Sequence, residues 1–97
     1  MSTDVHQLVD GEVARLRFLA FDQLLRFMKP LHTTVHSDKG DEYDLEVQSF
    51  WDDRDEQNLR VVVSAFRRGR DRKRWMPQRA DAVASFIVAS DGRFIGE

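Results

Sequence analysis

At Pro30 the spacing of apolar residues changes, and that change restricts the fold more than any other feature of the chain. Before it, Val5, Leu8, Val9, Val13, Leu16, Ala20, Leu24 and Met28 recur at three- and four-residue spacing, which places side chains on one face of a helix. Phe18, Phe21 and Leu25 widen that stripe. After Pro30, apolar and polar residues alternate, the pattern of strands with one wet face. One switch of period, from helix to strand, predicts an α+β domain: an N-terminal amphipathic helix packed on a four- to five-stranded antiparallel meander.

The signals at the element ends follow the same division. Thr3 or Asp4 can cap the helix through a side-chain oxygen, and Pro30 ends it by disfavouring helical geometry at Lys29. Gly11 costs about 1 kcal/mol relative to Ala inside a helix, so Asp10-Gly11 marks a candidate break, with the firm helix at 12 to 29. Leu31, Thr33 and Val35 share one strand face, with His32, Thr34 and His36 on the other. Ser37 to Gly40 is turn chemistry. Tyr43, Leu45, Val47 and Trp51 alternate with Asp44, Glu46 and Gln48. Leu59–Phe66 is apolar on both faces through Val61, Val62 and Val63, which predicts a central strand, and Val83–Ala89 is similar. Asp91-Gly92 predicts a two-residue hairpin, pairing Ser90 with Arg93, Ala89 with Phe94 and Val88 with Ile95. The expected core is Leu16, Ala20, Leu24, Leu45, Val47, Val61, Val63, Phe86 and Val88.

The chain has 97 residues, enough for a single domain spanning 1–97 with one modest core. It has no cysteine, which excludes disulfides, thiolate metal sites and cysteine nucleophiles. The N-terminus has neither a basic segment nor an apolar run of the export type, and no stretch approaches a membrane span. The expectation is a cytoplasmic protein that does not engage a membrane.

Net charge is −2, but the charge is segregated. Residues 67–79 hold seven bases and one acid, and residues 38–56 hold nine acids and two bases. The two runs flank the Leu59–Phe66 strand. Arg67, Arg68, Arg70, Arg72, Lys73, Arg74, Trp75 and Arg79 therefore form the candidate binding loop. Arg forks suit carboxylate and phosphate groups, and Trp75 suits either a protein anchor or a stacked base. The plainer alternative is a solvated loop whose Trp75 and Met76 cover the core. A protein partner, or self-association, is favoured over nucleic acid, because the acidic run repels phosphates. The alternative function is a nucleic-acid-binding domain using 67–79.

Other chemistry finds little support. Four residues of strand separate His32 from His36 by about 13 Å, too far to share one zinc ion, so they read as surface histidines that can face Asp44 or Glu46. Asp44 and Glu46, two residues apart on one face, could work as a hydrolytic pair, yet such acids are routine on a wet strand. Asp52 to Glu56 lacks the spacing of a calcium loop. The serines lack a nucleophile-elbow context, and the five glycines are dispersed. The expectation is a non-catalytic binding or regulatory module with no cofactor, no metal and no evident small-molecule substrate.

The ending Ser85-Phe86-Ile87-Val88-Ala89-Ser90-Asp91-Gly92-Arg93-Phe94-Ile95-Gly96-Glu97 resembles that of small uncharacterised bacterial α+β proteins, with a Ser-Phe-Ile…Asp-Gly…Gly-Glu hairpin. The Tyr43–Trp51 and Leu59–Phe66 strands are similar in layout. The resemblance implies bacterial origin and a small α+β domain. It implies no activity.

Overall fold

A computed structural model of the chain describes residues 5–36, 40–67 and 80–96. Two short α-helices, α1 (Val5–Leu16) and α2 (Phe21–Leu24), are followed by a 3-10 turn over Leu25–Met28. Five strands follow among the described residues: β1 (Leu31–His36), β2 (Glu42–Asp53), β3 (Asn58–Arg67), β4 (Ala82–Val88) and β5 (Phe94–Ile95). They form one sheet in the order β1-β2-β3-β4-β5, with every neighbouring pair antiparallel. The fold class is α+β, and β3 is central.

Alternation along β2 and β3 sorts side chains between two faces. Leu45, Val47 and Ser49 on β2, Leu59, Val61, Val63 and Ala65 on β3, and Ala82, Phe86 and Val88 on β4 are buried. Val9 and Leu16 of α1 and Leu24 of α2 join this cluster. The expected core holds at every position except Ala20, which is exposed.

The helical region departs from the single expected helix. Gly11 does not break α1, which runs through it. The break comes at residues 17–20. Phe18 and Leu19 turn back with three-residue hydrogen bonds to Arg15 and Leu16, the tightening common at a helix end. Ala20 then adopts extended geometry (φ −71°, ψ 157°) and precedes α2. The Gln23 Oε1 accepts from the Ala20 backbone N–H at 2.9 Å, half of a capping box. Phe18, placed by spacing on the apolar stripe, is 91% exposed. At Lys29 the chain is extended (φ −94°, ψ 112°), as a residue before proline prefers.

The last hairpin also differs by one residue from the expected register. Val88 pairs with Phe94 and Ile87 with Ile95. The Ala89 N–H donates to the Arg93 carbonyl at 2.8 Å, and the Gly92 N–H to the Ala89 carbonyl at 2.9 Å. Ser90, Asp91 and Gly92 thus form a three-residue loop, with Gly92 at φ +94°. A type I turn followed by a left-handed residue is the usual solution for this length.

Candidate binding surfaces

Of the loop singled out by charge, Arg67 alone lies within the described residues. Arg68, Arg70, Arg72, Lys73, Arg74, Trp75 and Arg79 lie outside them. Arg67 ends β3. Its backbone N–H donates to Asp81 Oδ2 at 2.6 Å, and its Nη2 lies 3.2 Å from Asp41 Oδ1. The Asp81 N–H in turn donates to the Ala65 carbonyl at 2.8 Å. The end of β3 at Arg67 and the start of β4 at Ala82 therefore lie together, beside Asp41 and Asp81.

The acidic run divides into a portion at the β2–β3 turn and a portion along β2. Its hairpin portion, Asp52 to Gln57, lies at the opposite end of β3. There Asp53 Oδ1 accepts the Glu56 N–H at 3.2 Å. Its β2 portion runs along the sheet face away from the helices. Across β1 and β2 this face forms a row of polar pairs. His32 Nε2 lies 3.5 Å from Glu46 Oε2, and His36 Nε2 lies 3.3 Å from Glu42 Oε1. Between them the Thr34 hydroxyl donates to Asp44 Oδ1 at 3.2 Å. Each follows from register, since His32 opposes Glu46, Thr34 opposes Asp44 and His36 opposes Glu42. The sequence pointed to histidine–carboxylate contacts here. It named Glu46 correctly, whereas Glu42 takes the second place and Asp44 pairs with Thr34.

Further along the same face, Arg60 spans three strands. Its Nε and Nη2 lie 3.0 and 2.9 Å from Asp52 Oδ1 on β2, and its Nη1 donates to Ser85 Oγ on β4 at 3.4 Å. An exposed pair of this kind is worth up to about 1 kcal/mol. Beyond it the face turns apolar. Val62, Phe66, Ile87 and Ile95 are half-buried, Phe50 is 43% exposed and Val83 is 56% exposed.

Asp44 and Glu46 lie on the open sheet face and line neither of the two recesses described below. Among the described residues no group of three or more histidines and carboxylates converges to hold a metal ion. One recess of about 470 Å³ is lined by Ala20, Phe21, Asp22, Ser90, Asp91 and Gly92. The other, of about 310 Å³, is lined by Ala14, Arg17, Phe18 and Phe94, with the Arg17 guanidinium 4.1 Å from the Phe94 ring centre. At the rim of the first, the Arg93 backbone N–H, and then its guanidinium, hold the Asp91 carboxyl below the usual aspartate range. No described helix is long and apolar enough to cross a membrane.

The sequence reading of His32 and His36 as surface residues of an edge strand holds, since β1 lies at the edge of the sheet. Five of its six residues are exposed, and among the described residues it pairs with β2 alone. The signal was present in the polar content of His32, Thr33, Thr34 and His36, which is unusual for a strand covered on both sides. Comparison of the chain with known protein families, with curated proteins and with solved structures finds no match.

Proposed function

We propose that this domain is a small non-catalytic binding or regulatory module of the cytoplasm that engages a protein partner through its segregated charged surfaces. One observation carries the reading: acidic side chains line the open β1–β2 face, while the run from Arg67 to Arg79, strongly basic in sequence, begins at the end of β3. In this reading α1 closes one face of the sheet as the packed helix, and the other face is left for contact. Opposed charge of this type steers a partner and fixes its orientation. The resemblance of the C-terminal segment to small bacterial α+β proteins belongs to the same reading and adds no activity.

Affinity capture with the intact chain tests it, comparing wild type with a variant carrying Arg70→Glu, Arg72→Glu and Arg74→Glu. The reading expects a defined partner retained by wild type and lost by the variant. Identical captures from both forms, or none, would refute the basic run as the interface. A nucleic-acid reading through 67–79 is favoured only by the sequence of that run, and RNA or DNA binding that falls steeply with salt would replace the protein partner by it.

A further inference from the structure

We propose that β1 is a docking edge: an extended, alternately cationic and apolar segment of a protein partner adds to it as a sixth strand. This deepens the binding-module reading and rests on it, naming the surface and the chemistry of what binds there.

The main chain supplies the first argument. Strand residues direct their N–H and C=O groups alternately to the two sides. β1 meets β2 on one side, and among the described residues no strand or turn hydrogen bond reaches the other. Half of its six residues therefore present backbone groups outward, a template for another strand. Edges are usually blunted by shortness, an internal proline, a lysine or a bulge. The opposite end of the sheet is blunted in this way, since β5 has two residues. β1 carries none of these devices: its six residues pair with β2 without a register shift.

The side chains define the ligand. An added strand places alternate residues on each face. On the helix-bearing face they would lie beside Leu31, Thr33 and Val35. Leu31 is 47% exposed, and Met28, just before β1, is 40% exposed. Apolar ligand residues suit that side. On the open face they would lie beside His32, Thr34 and His36, with Glu46, Asp44 and Glu42 on the next strand. The added strand lies two strand spacings from β2, about 10 Å, and the stem of a Lys or Arg can lie over Thr34 to bring its charge to this acidic row. Three carboxylates, Glu42, Asp44 and Glu46, line that row among the described residues. An anionic segment would meet repulsion, and so would a phosphate backbone. Main-chain pairing gives affinity, and the alternating side chains give specificity.

The test is an NMR titration of the labelled full chain with a capped Lys-Val-Lys-Val-Lys-Val peptide and its Glu-Val counterpart. The proposal expects shifts concentrated on residues 31–36 and on their partners 42–47, weakening with salt, with no response to the Glu-Val peptide. Thr34→Lys puts a cation at the centre of the edge on an exposed residue, and should weaken binding about tenfold or more. Equal response to both peptides, shifts centred on β4 and β5, or no response at millimolar peptide would overturn the proposal. So would concentration-dependent shifts at 31–36 without peptide, which would make a second copy of the chain the occupant. A chain that captures its partner through Arg70 to Arg74 yet ignores the peptide keeps the module reading and loses the edge.

Discussion

Ser49 stands in the middle of the apolar sheet face, 2% exposed, among Leu45, Val47, Leu59 and Val61. Its hydroxyl donates to the Leu24 carbonyl at 2.9 Å, from a strand to the end of α2. This bond fastens the segment between α1 and β1 to the sheet, and Leu24 itself is buried. Ser49→Ala removes one buried neutral hydrogen bond with almost no change of volume. A net loss of about 1 kcal/mol is expected, within the usual range of 0.5–1.5. For a domain of this size that lowers Tm by roughly 4–8 °C. Urea unfolding should show a lower midpoint at unchanged slope, because the surface exposed on unfolding is the same. Ser64→Ala, on the open face, should stay within about 0.5 kcal/mol of wild type. Equal stability of the two variants, or a more stable Ser49→Ala, would refute the role given to this bond.

Three further outcomes follow from the backbone and the turns. Gly11 lies within α1 at ordinary helical geometry, and an added Cβ meets nothing within 4 Å, so Gly11→Ala should stabilise by about 1 kcal/mol in thermal unfolding; a loss of stability would contradict the continuous helix. Gly92 also has open space around it but sits at φ +94°, so Gly92→Ala should destabilise by about 1–2 kcal/mol through backbone strain alone; an unchanged Tm would contradict the three-residue loop. Asp91 has a carboxyl held below its ordinary value by Arg93. Its contribution to stability is therefore present above the ordinary aspartate pKa and is lost as pH falls through the lower, folded value. The Tm difference between wild type and Asp91→Asn should close in that acid range and be constant around neutrality, which thermal scans across pH can check.

The sheet was legible because each strand carries its own two-residue period. Leu45 and Val47, and Val61 and Val63, mark the core face wherever alternation is clean, and the Val61–Val63 run marked the central strand. The helical region was less legible, since Leu16, Ala20 and Leu24 keep a four-residue spacing across a break that no glycine or proline announces. Ala is a poor N-cap, so the start of α2 was visible only in Gln23, whose side chain reaches back to Ala20. The Asp91-Gly92 pair located the last turn correctly but not its length, because Gly92 serves the left-handed position of a three-residue loop as well as that of a two-residue one. The charged residues were legible in part as surface: alternation put Asp44 and Glu46 on one face with the histidines across from them. The register of β1 on β2 adds Glu42 to that row and sets Asp44 opposite Thr34 rather than a histidine.

Docking at the sheet edge rests on β1 being open, and native-state amide exchange of the free chain tests this most directly. The account predicts alternation along Leu31–His36, with slow exchange at amides bonded to β2 and fast exchange at those between them, against protection throughout Val61–Val63. Uniform protection along β1 would contradict it, because another segment would then already occupy the edge. Uniformly fast exchange would contradict it equally, because no formed strand would be present for a partner to extend.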